Sequence, residues 1–239
     1  MKPEHGVEKP QPGALAHAAS ALVHILLLFP VLYIVGLGIE NYSFFSWHPI
    51  CMALGAGLLA IEAVFSISGE ANVSKKLSRP GRVTLHWILH LVGMCLLVAG
   101  LAIIVVNKER HGHPHFGTSH GQLGLATIVI VFLIGAFGIL ANNARWFYPQ
   151  VRPVLIKVTH AFAGIGLTVL LLATVINGTY RAWWTNIGAS ETGRGLVFAS
   201  LVIAGFVVLV KPIIGAISRS RVLGQPPPSA PVAMTDTVR

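Results

Sequence analysis

Six long apolar segments, separated by short polar stretches, set the hydrophobic pattern of the chain. Each is about 20 residues long or longer, which is the length that an α-helix needs to cross the hydrocarbon core of a bilayer. They cover residues 18–38, 47–67, 85–106, 120–141, 158–178 and 195–217. Backbone groups that have no access to water must be bonded within helices or within a closed barrel. The pattern therefore predicts an all-α bundle of six transmembrane helices.

The composition indicates an integral membrane protein. Of the 239 residues, 54% are apolar and 10% are charged, whereas a soluble domain has about 25% charged residues. This excludes a soluble enzyme, a disordered chain and a secreted disulfide scaffold. Cys51 and Cys95 both lie within apolar segments, so we expect two small buried side chains rather than a disulfide or a metal-binding pair.

The two ends of the chain differ from the apolar region between them. Residues 1–17 include the polar stretch MKPEHGVEKPQPG, which lacks the features of a cleaved signal peptide and is predicted to stay as a cytoplasmic tail. Residues 18–217 are predicted to form the transmembrane domain. Residues 218–239 are rich in proline and are predicted to form a disordered cytoplasmic tail.

Lysine and arginine predict the orientation, because cytoplasmic loops carry an excess of both. With both termini in the cytosol, 13 basic residues lie on the cytoplasmic side: Lys2, Lys9, Lys75, Lys76, Arg79, Arg82, Arg145, Arg152, Lys157, Lys211, Arg219, Arg221 and Arg239. Four lie on the other side: Lys108, Arg110, Arg181 and Arg194. The net charge of +9 is thus attributed to the basic residues that orient the protein in the bilayer, and no nucleic-acid partner is predicted.

Four histidines lie at equivalent positions. His48, His86 and His120 open the second, third and fourth predicted helices, and His160 lies in the first turn of the fifth. Because successive helices alternate in direction, His48 and His120 should lie near the non-cytoplasmic face, and His86 and His160 near the cytoplasmic face. Two facing imidazoles in a bundle suit the axial ligands of a haem iron. The spacing favours two bis-histidine haems in a four-helix core made of the second to fifth helices.

Two other interpretations of these histidines stay open. Ionisable residues inside a membrane mark functional sites by default, so the same set would also suit a non-redox proton or metal-ion pathway. A structural role for the histidines is the third interpretation. Structural zinc fits less well, because it needs four ligands and each face offers only two well-placed histidines.

Small residues on the core helices would allow a flat macrocycle to lie between backbones, although glycine also serves ordinary helix packing in lipid. The glycines in question are Gly55, Gly57, Gly93, Gly100, Gly124, Gly164 and Gly166.

Four motifs around the histidines resemble the cytochrome b561 family: SWHP at 46–49, HWILH at 86–90, TSHGQLG at 118–124 and KVTHAFAG at 157–164. The resemblance extends from about residue 15 to about residue 220. The segments FSWHPICMAL and LSRPGRVTLHW look closest to the cytochrome b561 domain-containing branch.

The resemblance implies an oxidoreductase or translocase that uses two haem b groups. It implies an electron path from cytosolic ascorbate to monodehydroascorbate or ferric iron on the other side. By motif, His48 and His120 would bind the non-cytoplasmic haem, and His86 and His160 the cytoplasmic one. The branch also implies an internal membrane such as the endoplasmic reticulum, and the family implies a possible homodimer.

One position departs from the ascorbate-reducing branch of that family, which usually has a Tyr-Arg pair near the end of the second helix. Glu62 and Ala63 stand there in this chain. A buried carboxylate at this depth could take up a proton, or it could pair with a basic side chain such as Arg82.

Ascorbate is an anion, so a cytosolic donor site should offer cations beside the haem. Arg82 lies four residues before His86, and Lys157 lies three before His160, which puts each cation on the same helical face as a ligand. Arg79 and Arg152 add charge in the same two loops, although orientation alone also explains the cluster.

On the opposite face, His111, His113 and His115 lie in a Gly/Pro-containing loop. Their imidazoles would suit a transiently bound iron ion, or the loop is solvated and has no fixed role. His90, one turn deeper than His86, could be an alternative ligand, a bridge between haems or a hydrogen-bonded core residue.

Overall fold

A computed structural model describes residues 13–224, and every regular element in that range is helical. Six helices are long and apolar enough to cross a membrane. They are α1 (Ala14–Glu40), α2 (Trp47–Met52, continuing through Ala53–Leu59 and Ala60–Ser68), α3 (Arg79–Arg110), α4 (Ser119–Asn142), α5 (Pro153–Thr179) and α6 (Glu191–Arg221). The predicted six-helix membrane bundle is confirmed, and the protein is an integral multi-pass membrane protein.

The helices extend past the apolar segments into their polar flanks, because capping side chains lie there. Ser78, Thr118 and Ser190 each accept a hydrogen bond from a backbone amide in the first turn of α3, α4 and α6, as helix N-caps do. Helix α1 begins at Ala14 and helix α6 ends at Arg221, so both extend beyond the apolar segments 18–38 and 195–217. The remainder of the two predicted tails, residues 1–12 and 225–239, lies outside the described residues.

Four of the six helices form two pairs, and α1 and α6 pack along one side of these pairs. α2 packs along α3, and α4 packs along α5, whereas α3 and α4 touch each other little. α1 and α6 pack together, and α6 also packs against α5 and α2. Leu27, Ile61 and Leu201 are fully buried where these helices meet. The space between the α2–α3 pair and the α4–α5 pair is where the four histidines meet.

Helix α2 changes its winding in the middle of the membrane. Its residues Ala53–Leu59 form a π-helical segment, a rare conformation that is frequent at functional sites. Here α2 crosses α3 at very short range, since a Cβ added to Gly55 would lie 2.9 Å from the carbonyl oxygen of Gly93. The segment lies between His48 and Ala63, which both contribute to the sites described below.

The two cysteines differ from the prediction that both are buried. Cys51 is buried, but Cys95 is exposed. Cys95 lies on α3, most of whose apolar surface is on the outside of the bundle, where the bilayer replaces a protein core. An apolar segment in a membrane protein predicts contact with lipid as readily as burial.

Candidate functional site

His48 and His120 face each other at the end of the bundle where α2, α4 and α6 begin, which we call the His48 side. Their ring centres are 6.3 Å apart and their planes are inclined at 81°. A bond from an imidazole nitrogen to a metal is about 2 Å long, so two such bonds with the ring radii added span about 6 Å. The pair has the spacing needed to hold one metal ion between its rings.

Backbone carbonyls orient one histidine of each predicted pair. Nδ1 of His48 donates to the carbonyl of Gly100 at 2.9 Å, and Nδ1 of His86 donates to the carbonyl of Ala63 at 2.9 Å. A carbonyl oxygen can only accept, so the proton is on Nδ1 and Nε2 keeps its lone pair for a metal. Both rings are therefore held in the tautomer that ligates through Nε2.

Glycines provide the space for the other two histidines. A Cβ added to Gly178 would lie 3.2 Å from Cε1 of His120, and one added to Gly138 would lie 3.1 Å from Cε1 of His160. Gly178 is on α5 and Gly138 is on α4, so each helix accommodates the histidine of its neighbour. The sequence interpretation missed both glycines, although each lies 18 residues after the histidine of its own helix.

The glycines singled out from the sequence have other surroundings. Gly55, Gly93 and Gly100 mediate the close contact between α2 and α3, while Gly164 and Gly166 have nothing within 4 Å of an added Cβ. Gly124 lines the cavity described next. Of these glycines it best matches the expected role of leaving space for a macrocycle.

A cavity of about 250 Å³ opens beside His48 and His120. Its walls come mainly from apolar residues of α2, α3, α4 and α5, and its lining also includes Lys108, His115 and Arg181. An apolar slot with cations among its lining residues suits haem b, a flat apolar macrocycle that carries two carboxylates at one edge.

The donor set also fits haem better than a simple metal ion. Within residues 13–224, no three His, Cys, Asp or Glu side chains converge on one metal position, whereas structural zinc needs four ligands. Nδ1 of His120 and Nδ1 of His160 are buried and lack a hydrogen-bond partner in that range, although the backbone of Thr174 interacts with the His120 ring. Buried nitrogens without a partner are expected where another group completes the site.

The opposite end of the bundle, where α3 and α5 begin, holds the second set of imidazoles; we call it the His86 side. His86 and, one turn deeper, His90 lie in the first half of α3, and His160 lies near the start of α5. The rings of His86 and His90 are 4.5 Å apart and nearly perpendicular, and Phe137 lies 6.2 Å from His160. His90 is thus a direct neighbour of the predicted ligand His86.

The four predicted cationic residues of the His86 side fall into two groups. Arg79 and Lys157 are exposed in the first turns of α3 and α5. Arg82 donates to the carbonyl of Leu77 at 3.3 Å and packs against Gly69. Arg152 donates from both terminal nitrogens to the last turn of the chain described: to the carbonyls of Val222 and Leu223, at 3.1 and 3.0 Å. Arg152 therefore ties the start of α5 to the end of α6.

The histidine-containing loop of the His48 side borders the cavity. Nε2 of His115 lies 3.1 Å from a carboxylate oxygen of Glu109, and Nζ of Lys108 donates to the carbonyl of Pro114 at 2.7 Å. His111 and His113 stack at 6.3 Å and are exposed. His115, rather than His113, is the loop histidine that lines the cavity.

Glu62 has a partner that the sequence interpretation did not consider for it. Its carboxylate lies 2.6 Å from Nδ1 of His24 on α1, and not beside Arg82. Helix α1, which is not part of the predicted four-helix core, thereby contributes an ionisable group to the interior.

Comparisons with known proteins identify the family of the chain. A family model described as eukaryotic cytochrome b561 matches residues 47–185. The human protein named transmembrane reductase CYB561D2 is 32% identical over 194 residues, which cover 79% of this chain and 83% of the relative. The human probable transmembrane reductase CYB561D1 is 26% identical over 71% of this chain and 74% of its own. The sheep transmembrane ascorbate-dependent reductase CYB561 is 24% identical over 75% of this chain and 72% of its own. The family model spans more than half of the chain and every predicted histidine ligand, and the chain belongs to the cytochrome b561 family of transmembrane oxidoreductases, which implies haem b as the cofactor.

Proposed function

We propose that the protein carries electrons across its membrane through two haem b groups, from cytosolic ascorbate to monodehydroascorbate or ferric iron on the other side. The observation that carries this proposal is the repetition of one arrangement at both ends of the bundle. At each end, one histidine is oriented by a backbone carbonyl and the other lies against a glycine of the neighbouring helix.

His48 and His120 would hold the haem of the non-cytoplasmic side, and His86 and His160 that of the cytoplasmic side. Haem held by these imidazoles would supply a one-electron carrier at each site. The role of the chain would be to bind, orient and insulate the two carriers. Gly178, beside His120, lies 18 positions after His160 on α5, which corresponds to about 27 Å of helix at about 1.5 Å per residue. Electrons would pass directly between the two carriers, without a further cofactor.

The donor would bind at the His86 side. Lys157 and Arg79 are exposed there, and an anion such as ascorbate is attracted to cations at a site edge. The sheep relative is named as ascorbate-dependent, which supports the same donor for this chain. Arg82 and Arg152 are engaged with backbone carbonyls, so we assign them the supporting role of shaping this end.

The acceptor would approach the cavity at the His48 side. Lys108, His115 and Arg181 are among its lining residues. Cations suit an anionic radical or a chelated ferric ion, and imidazoles such as His115 and the nearby His113 suit a transient contact with iron.

Haem content tests the proposal first. The purified full-length protein, expressed with sufficient haem, should contain two haems per chain and give a low-spin spectrum when reduced. A pigment-free protein would contradict the proposal. Proton flux through such a pigment-free protein in liposomes would instead support the alternative of a proton or metal-ion pathway.

Ligand variants test the direction of electron flow. In His120→Ala, the cytosolic haem should stay reducible by ascorbate, while ferric reduction on the far side is abolished. In His160→Ala, reduction by cytosolic ascorbate should stop altogether. His111→Ala, which changes an exposed histidine of the loop, is the matched control and should keep both haems. Full far-side activity in a His120→Ala protein that lacks the corresponding haem would refute the proposed route.

A further inference from the structure

Polar groups of α1, α2 and the connection after α2 form a hydrogen-bonded chain that the proposed electron path does not use. Nδ1 of His24 lies 2.6 Å from Oε1 of Glu62, and Nε2 of His24 lies 3.4 Å from the hydroxyl of Ser20. That hydroxyl accepts a hydrogen bond from the backbone amide of Asn72 at 2.7 Å. We call these groups the Ser20–His24–Glu62 chain; it runs from the connection at the His86 side into the bundle.

The setting of this chain is unusual for a structural contact. Ionisable side chains inside a membrane span are costly and mark functional sites by default. The carboxylate of Glu62 is 14% exposed and the imidazole of His24 is 29% exposed, and Phe65 packs edge-on against His24 at 5.5 Å. His24 is therefore the more accessible member of the pair.

The same groups can satisfy two protonation states. With a neutral imidazole, Nδ1–H donates to Glu62 and the hydroxyl of Ser20 donates to Nε2. With an imidazolium, Nε2–H donates to the Ser20 oxygen, which has a second lone pair for the amide of Asn72. One proton can thus be added at Nε2 or removed from it while His24, Glu62 and the amide of Asn72 each keep a hydrogen-bond partner.

The Ser20–His24–Glu62 chain adjoins the proposed cytosolic haem site. Ala63, the residue after Glu62, accepts the hydrogen bond from Nδ1 of His86 at 2.9 Å. Charges interact strongly in the weakly polar interior of a membrane protein. We therefore expect a change in charge at Glu62 or His24 to act on the His86 site.

Other charged groups on the packed elements have partners of their own. Lys75 donates to the carbonyl of Ala16 and to the side chain of Asn72. Lys211 on α6 pairs with Glu70 at 3.5 Å, and Arg82 on α3 donates to a backbone carbonyl. On α3, His86 donates to the carbonyl of Ala63, and the ring of His90 lies 4.5 Å from that of His86.

We propose that the Ser20–His24–Glu62 chain is a proton-binding site coupled to electron entry at the His86 side. This inference rests on the proposed function. When one electron enters the His86 site, one proton from cytosolic water binds to Nε2 of His24. The pair changes from imidazole and carboxylate, with charge −1, to imidazolium and carboxylate, with charge zero, which cancels the added negative charge. Reduction of this site becomes harder as the pH rises, because the compensating proton becomes scarcer.

The variant Glu62→Gln tests this coupling in the full-length, haem-loaded protein. It removes the charge and keeps an oxygen that can accept from Nδ1 of His24. Glu70→Gln is the matched control, because it makes the same change on the carboxylate paired with Lys211. The midpoint potential of each haem is measured by optical redox titration at several pH values, and proton uptake per electron with a dye in weak buffer.

The parent protein and Glu70→Gln should each show one haem whose potential falls as the pH rises, together with proton uptake on reduction. Glu62→Gln should lose both effects at unchanged haem content. If Glu62→Gln does not retain haem, the double variant His24→Gln/Glu62→Gln, which joins two neutral amides, should show the same two losses.

An unchanged pH dependence and proton uptake in a haem-loaded Glu62→Gln or double variant would overturn the inference and leave His24–Glu62 as a structural tie between α1 and α2. That result would leave the proposed electron path intact. Absence of haem from the parent protein would instead overturn both proposals, so the two failures are distinguishable.

Discussion

At the scale of single residues, Gly178 and Gly138 decide how closely α4 and α5 approach the histidines of the two sites. Each glycine faces the ring of the neighbouring helix at a distance that leaves no ordinary room for a methyl group. The two residues have no polar chemistry, so only their contacts reveal their importance.

Gly178→Ala should displace the ring of His120 and lower the haem content from two per chain to about one, with the His86-side haem retained. Gly138→Ala should cause the mirror-image loss. The reason is that the new Cβ would lie only 3.2 or 3.1 Å from Cε1 of the histidine. Haem per protein, measured by the pyridine haemochrome assay, reports the effect. Gly166→Ala on α5, where nothing lies within 4 Å, is the control and should keep both haems.

Alanine variants of Arg152 and Lys157 should distinguish a cation that stabilises the fold from one that binds substrate. Arg152→Ala loses hydrogen bonds to the carbonyls of Val222 and Leu223 and should lower the free energy of unfolding by about 1 kcal/mol, with little change in KM for ascorbate. Lys157→Ala should raise KM about two- to fivefold, as expected for an exposed ion pair, without changing thermal stability. The opposite assignment of the two effects would refute our separation of their roles.

At the scale of helices, the crossing of α2 over α3 fixes the distance between the two helices that carry His48 and His86. The backbones meet at Gly55 and Gly93, and the carbonyls of Gly100 and Ala63 then reach the Nδ1 atoms of the two histidines. A wider crossing would loosen both sites together.

Gly55→Ala should therefore destabilise the whole bundle by about 1–3 kcal/mol, the usual cost of overpacking, since its Cβ would lie 2.9 Å from the Gly93 carbonyl. Thermal unfolding in detergent, followed by circular dichroism and by haem absorbance, should show a lower midpoint for both signals. Gly36→Ala on α1, with nothing within 4 Å of the added Cβ, should leave the midpoint unchanged. Equal stability of the two variants would show that the crossing is not tight.

At the scale of the whole molecule, the direction of electron flow requires a defined orientation in the membrane. The excess of Lys and Arg on one side, 13 residues against four, predicts that the His86 side faces the cytosol. The proposed donor and acceptor sites would exchange places in the opposite orientation.

Single cysteines in the two loops test this orientation in a Cys51→Ala/Cys95→Ala background. In sealed vesicles whose cytosolic side faces inward, Lys76→Cys, in the connection between α2 and α3, should react with a membrane-impermeant maleimide only after the vesicles are permeabilised. His113→Cys, in the exposed loop between α3 and α4, should react with the same reagent added outside these sealed vesicles. Reversed labelling would place ascorbate and acceptor on the sides opposite to those proposed.

The sequence by itself determined the membrane class, the six helices and the four histidine positions. Long apolar segments permit few structures in a bilayer, because the backbone must bond internally, so the element type followed directly from the length of each segment. The histidines near the starts of α2, α3, α4 and α5 followed because ionisable residues are rare at such positions. The motifs around them identified the family.

Tertiary structure alone decided what supports those histidines. The carbonyls of Gly100 and Ala63 are backbone groups, and every residue has one, so no residue type announced their role. The pairing of His24 with Glu62 joins residues 38 positions apart, and it depends on how α1 packs against α2. Which glycine faces an imidazole and which faces another backbone likewise depends on how each helix is rotated and where helices cross. The pattern of apolar residues does not determine this rotation, because both faces of a helix surrounded by lipid are apolar.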